Sequence, residues 1–291
     1  MPHQGAAATR SVRIRRVLIV ILIANVAVVV AKLFIGIGTG SLAVLGDAAH
    51  SSVDALNNVL ALFVVWMASK GPDEDHPYGH QKFETLGAMG IVGFLSVSAF
   101  ELAKGAVQRL ATGAPSFSVS PIQITALLAT LAINVVVASF ESRKGRQLNS
   151  EILLADAAHT KADIFVTIGV VAGMVLVRMG VTWADPVLAL AVVGIIVVLA
   201  YRIMSRSVPI LVDRHLVPSS AIKDSAEGVP GVKSAYDIRS RGSRHQSFAE
   251  LTIAIERSVT VEDGHQIADA VESRLRSDLH LHEIIVHVEP C

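Results

Sequence analysis

The stretch Asp47-Ala-Ala-His-Ser-Ser-Val-Asp54 recurs as Asp156-Ala-Ala-His-Thr-Lys-Ala-Asp163, and each copy lies inside a long apolar segment. In both copies the histidine precedes the last aspartate by four residues, so the two side chains share one face of a helix, one turn apart. Two such helices side by side offer two imidazole nitrogens and two carboxylates, a complete tetrahedral set for a zinc-like ion. Ionisable side chains at membrane depth are costly, so each one indicates a functional site.

The composition of the chain is that of a membrane protein. Its 291 residues are 52% hydrophobic and 17% charged, against about 25% charged residues in soluble domains, and the mean hydropathy is +0.55. The formal net charge is zero, which gives no reason to expect a nucleic-acid partner. The single cysteine, Cys291, excludes a disulfide framework within one chain and a thiolate metal cluster.

Six apolar segments are each long enough to cross a bilayer as a helix, which takes about 20 residues. The predicted spans are 17–37, 41–69, 83–107, 121–141, 150–178 and 184–205. Lysine and arginine concentrate on one side of this arrangement, which places both termini in the cytoplasm. The two motif-bearing segments then run antiparallel, and their histidines meet near the membrane midplane. Lys32, late in the first segment, is expected to reach the outer interface.

The character of the sequence changes after residue 209. A helix start near Pro218 is followed by two alternating segments around Gly242-Ser243, a helical period over 260–277 and a strand over 283–289. The order αββαβ indicates a small α+β domain on the cytoplasmic side. The predicted divisions are a cytoplasmic N-terminal tail over 1–16, a six-helix transmembrane domain over 17–209 and a cytoplasmic domain over 210–291.

With these features the chain resembles the cation diffusion facilitator family of divalent-metal/proton antiporters. The resemblance covers nearly the whole chain, because the paired motifs, the histidine-rich loop after the second helix, the helix number and the domain order all agree. It implies a six-helix transmembrane domain plus a ferredoxin-like, metallochaperone-like domain, working as a homodimer in a bacterial inner membrane. It also implies proton-coupled efflux of a divalent transition metal, with the soluble domain sensing metal.

The paired motifs supply the candidate transport site. The predicted metal ligands are His50, Asp54, His159 and Asp163. The alternative is a polar network that ties helices together, but carboxylates in hydrocarbon need positive charge nearby, and Lys161 lies on another face of its helix. A bound dication supplies that charge. Asp47 and Asp156 lie three residues before each histidine, where they are candidates to accept an imidazole N–H, to line the ion path, or merely to cap the helix.

Two further matches follow from the family resemblance. Asp73, His76 and His80 match a second metal site in the cytoplasmic loop, for which the alternative is a solvated acidic loop. Lys82 matches a lysine that pairs with an aspartate after the sixth helix, here Asp213, and holds the dimer interface in register. Exposed ion pairs contribute only about 0–1 kcal/mol, so this role requires partial burial.

The soluble domain matches the family at three metal-ligand positions: His265 on its second helix, and His287 and Glu289 on its last strand. His287 and Glu289 share one face of the strand because they are two residues apart. Tyr236 and Thr252 stand where some members place histidines, which argues for one metal per subunit rather than a cluster. The alternative is that all three positions are ordinary surface residues.

Metal ligands must be deprotonated, so a metal and protons compete for the same four side chains, and alternating access then couples the two fluxes. Two nitrogens and two oxygens suit Zn²⁺, with Co²⁺, Cd²⁺ and Fe²⁺ tolerated. A membrane metalloenzyme would need an open coordination position and a general base, and the sequence contains no H-E-x-x-H. A metal sensor that never cycles is the third class, and metal uptake into sealed vesicles distinguishes it.

Overall fold

Six long helices form the first part of the computed structural model, which describes residues 2–39, 42–112, 121–181, 183–243 and 246–291. They are α1 (Pro2–Thr39), α2 (Leu42–Ala68), α3 (Lys82–Thr112), α4 (Pro121–Leu148), α5 (Glu151–Arg178) and α6 (Ala184–Leu211). Each contains an apolar stretch of 25 to 31 residues that is long enough to cross a membrane, because about 20 residues of helix span the hydrocarbon core. The prediction of six membrane helices is confirmed.

The outside of this helical unit is apolar and its inside carries polar side chains. Phe34, Phe100 and Val136 are 76%, 69% and 69% exposed, whereas Asn58 and Asp156 are 2% and 3% exposed. An apolar surface of this extent marks an interaction with lipid or protein. Together with the six spans, the distribution is that of a multi-pass integral membrane protein.

The helices of the first unit pack in pairs. Helix α1 lies along α2 and α4 lies along α5, while α3 contacts both α5 and α2. Gly87 of α3 sits where these helices meet: a Cβ atom built there would lie 2.5 Å from Val64 Cγ1 and 3.1 Å from Ile152 Cδ1. A glycine is therefore required at this position for the close approach of the helices.

Polar contacts tie the start of α5 to α1 and α3. Ser150 caps α5 by accepting a hydrogen bond from Leu153 N, and its own hydroxyl donates to Glu84 Oε1 at 2.5 Å. Arg10 Nη1 donates to Glu84 Oε2 at 2.9 Å, and Arg10 Nε donates to the Leu148 carbonyl at 2.8 Å. The Arg10 and Glu84 side chains are only 19% and 11% exposed. This Arg10–Glu84–Ser150 clamp fixes the end of the helix that carries the second motif.

The chain divides into two compact units, Met1–Ser207 and Val208–Cys291. The second contains, in order, α7 (Ser219–Glu227), β1 (Ser234–Ser243), β2 (Gln246–Ile255), α8 (Val261–Leu279) and β3 (Glu283–Pro290). The strand order is β1-β2-β3, with β1 antiparallel and β3 parallel to β2. Ile222 of α7 and Leu275 of α8 belong to one buried core with Ile253 of β2. The predicted αββαβ order is confirmed.

Candidate metal centre

Three of the four predicted transport ligands meet in the helical unit. His159 Nε2 lies 3.4 Å from Asp54 Oδ1 and 3.9 Å from Asp163 Oδ2, and one donor atom from each residue lies within 4.8 Å of the others. Ligands bonded at about 2.0–2.1 Å to a tetrahedral ion are separated by about 3.3 Å. The observed separations are therefore close to those that one zinc-like ion requires. The backbone of His50 lies in α2 one turn before Asp54, while its side chain is outside the described structure.

Small residues lie on the helix that carries the second motif. Ala155, Ala158 and Ala162 of α5 are buried, at spacings of three and four residues. Alanine lets helix backbones approach closely without a hydrophobic driving force in lipid. Ala158 and Ala162 belong to the motif itself, which therefore supplies both donor groups and small side chains.

The imidazole of His159 has one nitrogen facing the carboxylates and one without a partner. Its Nδ1 atom is buried and has no hydrogen bond within the described residues. Asp156 does not make the predicted contact with this nitrogen; its Oδ2 atom instead accepts a hydrogen bond from Asn58 Nδ2 at 2.9 Å. Asn58 Oδ1 in turn accepts one from Asn25 Nδ2 at 2.6 Å. Asp156 therefore belongs to a separate polar network that connects α1, α2 and α5. The side chain of Asp47 lies outside the described structure.

Lys32 is a correction to the sequence prediction. It does not extend to the outer interface: it is 4% exposed, and its Nζ atom donates to Ser51 Oγ at 2.8 Å. Ser51 follows the first-motif histidine directly in α2, so the Lys32 ammonium finds its acceptor inside the α1–α2 pair.

The loop between α2 and α3 brings its three predicted ligands together. Asp73 Oδ1 lies 3.3 Å from His76 Nδ1, and Asp73 Oδ2 lies 3.4 Å from His80 Nε2. His80 Nδ1 is 3.1 Å from the Gly71 carbonyl, which can only accept, so Nδ1 is the donor there and Nε2 is the nitrogen that faces Asp73. The His76 backbone N–H donates to Asp73 at 2.8 Å, and this bond lowers the pKa of the carboxyl below its ordinary value of 3.8. The loop thus presents an ionised carboxylate beside two oriented imidazole rings.

The candidate site in the second unit is only partly assembled. His287 Nε2 lies 3.5 Å from Glu289 Oε1, but His265 on α8 joins no metal-ligand group with them among the described residues. The hydroxyl of Tyr236 donates to Glu289 Oε2, and this bond raises the pKa of the tyrosine. Across the three strands, Tyr236 pairs with Thr252, and Thr252 with His287. Tyr236 and Thr252, which stand in place of possible ligand histidines, therefore lie on the strands beside His287. The hydroxyl of Tyr236 is already hydrogen-bonded to Glu289.

Lys82 and Asp213 belong to different units of the chain, and their pairing stays a prediction. Within its own unit, Asp213 Oδ2 lies 3.9 Å from Arg241 Nη1.

Sequence reasoning missed the residue that completes the polar network around Asp156. Glu141 of α4 is 0% exposed, and Thr160 Oγ1 donates to its Oε2 atom at 3.1 Å. In the sequence it precedes Arg143 and Lys144, so it has the appearance of a charge at the membrane interface. Only the packing of α4 against α5 shows that it is buried.

The comparisons with known proteins cover both units. Residues 18–212 match the family model described as the cation efflux transmembrane domain. Residues 218–291 match the model ZT_dimer, described as the cytoplasmic domain of the cation efflux protein.

Curated relatives match over most of the chain. The cation-efflux pump FieF of Cronobacter sakazakii is 30% identical over 89% of this chain and 87% of its own length. The manganese efflux system protein MneS of Bacillus subtilis is 29% identical, over 89% of each chain. An uncharacterized transporter of Methanocaldococcus jannaschii is 27% identical over 95% of this chain and 98% of its own.

Among solved structures, the MamM-CTD is 27% identical and covers 25% of this chain and 92% of its own, with a TM-score of 0.24. The transmembrane match alone spans more than half of the chain, on the helices that bring the paired motifs together. The protein is a member of the cation efflux family, the cation diffusion facilitators that the motifs indicated.

Proposed function

We propose that this protein exports a divalent transition metal from the cytoplasm in exchange for protons, with Zn²⁺ as the expected substrate. The observation that carries the proposal is the meeting of Asp54 on α2 with His159 and Asp163 on α5, inside an apolar helical unit. His50, one turn before Asp54, is the proposed fourth ligand. Two carboxylates in this setting are stabilised by a dication, because the cost of burying their charge is offset only by an opposite charge.

The donor set supports zinc as the substrate. Two imidazole nitrogens and two carboxylate oxygens in a tetrahedron suit Zn²⁺, and the same set tolerates Co²⁺, Cd²⁺ and Fe²⁺. An all-oxygen site would favour Mn²⁺, the ion named for the Bacillus subtilis relative. A change of His50 to Asp should therefore broaden transport towards Mn²⁺.

Proton exchange follows from the same ligands. The His159 imidazole binds metal only when its Nε2 atom is unprotonated, so loading the site releases protons and acidifying it displaces the metal. A site that opens alternately to the cytoplasm and to a more acidic exterior would load metal on one side and exchange it for protons on the other. Both termini are proposed to be cytoplasmic.

The remaining candidate sites have supporting roles in this proposal. The loop residues Asp73, His76 and His80 lie outside the apolar spans, where they are suited to capture metal before it enters the membrane. The chain is proposed to work as a homodimer, supported by the match of its second unit to a domain named for dimerisation. In the dimer, His287 and Glu289 would bind one regulatory ion per subunit, completed by His265 or by water.

The test is metal flux into proteoliposomes across a controlled pH gradient, with a panel of Zn²⁺, Cd²⁺, Co²⁺, Fe²⁺ and Mn²⁺. The wild type should transport zinc best, with proton movement in the opposite direction, and Asp163→Ala should abolish transport without preventing insertion. Ser52→Ala is the matched control on α2, because its hydroxyl donates to the Ala48 carbonyl of the same helix and to no other described residue. A zinc flux that is independent of the pH gradient would refute proton antiport. Near-normal zinc flux in Asp163→Ala would refute the proposed transport site.

A further inference from the structure

A pair of buried carboxyl groups lies beside the transport site and is not part of it. Glu141 of α4 and Asp156 of α5 are 0% and 3% exposed, and their carboxyl groups lie within hydrogen-bonding reach of each other. The other donors to the pair are neutral: Thr160 Oγ1 bonds Glu141 at 3.1 Å and Asn58 Nδ2 bonds Asp156 at 2.9 Å. Neither carboxyl forms an ion pair of 4.0 Å or less with any described residue.

The two carboxyl groups can form a hydrogen bond with each other only if one of them is protonated. An ionised carboxylate only accepts hydrogen bonds, so two of them can bond each other only if one carries a proton. The Oε1 atom of Glu141 is buried and receives no hydrogen bond from the residues that the structure describes. Two unpaired carboxylates in contact and out of water cannot both ionise at moderate cost. One proton between them lets the two carboxyl groups bond each other and halves the buried charge.

The charged groups around the carboxyl pair determine whether the pair keeps or loses its proton. Lys161 of α5 lies near Glu141, while His159 of α5 and Asp54 of α2 act on Asp156. Helix α1 contributes the neutral amide of Asn25 through Asn58. Of these two proposed metal ligands, Asp54 carries a negative charge when the metal is absent, and that charge favours a proton on the pair. A dication bound to them reverses the sign of the nearby charge and favours its loss.

We propose that Glu141 and Asp156 share one proton in the metal-free protein and release it when a divalent metal occupies the neighbouring site. This inference rests on the proposed metal site and adds a proton-binding group to it. In the step, the pair changes from one proton and one negative charge to two negative charges, and the proton passes to solvent. Thr160 and Asn58 keep donating to the pair throughout. One of the protons exchanged for the metal then comes from residues that never touch the metal.

The experiment measures protons released per zinc by calorimetric titration of the full-length protein in buffers of different ionisation enthalpy. Glu141→Gln replaces the shared proton by an amide donor, so the variant should release about one proton fewer per zinc than the wild type. The number of zinc ions bound should not change. Glu101→Gln on α3, an exposed position, is the matched control and should release protons as the wild type does.

The outcomes separate this inference from the metal site itself. Unchanged proton release in Glu141→Gln overturns the shared proton, and one zinc ion fewer shows that the pair binds metal instead, which also overturns it. Asp54→Ala with full zinc binding would refute the metal site. If Glu141→Gln fails to fold, infrared difference spectra of the wild type, recorded with and without zinc, test the same proposal. Zinc should remove the carbonyl band of a protonated carboxyl, and a metal-free protein without that band refutes the proposal.

Discussion

Replacing Asp54 by Asn tests the proposed metal site by removing a single negative charge from it. The asparagine keeps the size of the side chain and one oxygen, but it removes one of the two carboxylates that flank His159 Nε2, at 3.4 Å in the structure. The proposed four-ligand site would then offer one negative charge instead of two to a dication. The amide nitrogen also cannot serve as a ligand.

The size of the effect follows from sharing the binding energy among the ligands. Zinc sites formed by four protein ligands bind with about 10–16 kcal/mol near pH 7, which is about 2.5–4 kcal/mol per ligand. Since about 1.4 kcal/mol corresponds to a tenfold change in affinity, Asp54→Asn should weaken zinc binding roughly 10²- to 10³-fold.

The assay is the zinc concentration that gives half-maximal flux in proteoliposomes, compared between the wild type and a variant whose loop and second unit are unchanged. Asp269→Asn, the same chemical change at an exposed position of α8, is the matched control and should leave that concentration unchanged. A half-maximal concentration for Asp54→Asn within tenfold of the wild type would refute the assignment of Asp54 as a ligand.

Four further predictions use the remaining contacts. Glu84→Ala leaves the shielded Arg10 guanidinium without its carboxylate and should cost about 3–5 kcal/mol of stability, measured by thermal unfolding; a cost below about 1 kcal/mol would refute the clamp. Gly87→Ala places a methyl group against neighbouring helices and should cost about 1–3 kcal/mol in the same assay; an unchanged unfolding temperature would contradict the close approach. His287→Ala should weaken zinc binding by the isolated residues 210–291 in calorimetry, and unaltered binding would remove the regulatory site. The lowered pKa of Asp73 means that its hydrogen bond is formed above the unfolded pKa and lost as pH falls through the folded pKa. Hydrogen exchange of the loop, corrected for intrinsic rates, should therefore increase below about pH 4, and unchanged protection would contradict this.

Local periodicity explains what the sequence could predict. The four-residue spacing of His159 and Asp163 places both on one helix face without any knowledge of tertiary structure, and the loop ligands lie within eight residues of one another. The alternating strands and the helix over 261–279 are equally local patterns. These are the features that the structure reproduces.

The features that the sequence could not predict are contacts between segments far apart in the chain. Arg10 and Glu84 are 74 residues apart, and Asn58 and Asp156 are 98 apart. No spacing rule connects such positions, and the partner of each buried charge depends on which helices pack together. Lys32 was misplaced for the same reason, since its acceptor belongs to another helix. His265 was grouped with the last strand by family resemblance alone.

The distribution of ligands over the helix pairs has a consequence for transport. Asp54 belongs to the pair α1–α2, whereas His159 and Asp163 belong to the pair α4–α5. An ion bound at the proposed site would therefore join the two pairs, and it would bind well only in arrangements that keep donors from both within bonding distance. Any movement of α2 relative to α5 would change the metal affinity, and by linkage the metal would shift the population of those arrangements. The Asn58–Asp156 hydrogen bond crosses the same boundary, so a proton held by the carboxyl pair is sensitive to the same movement.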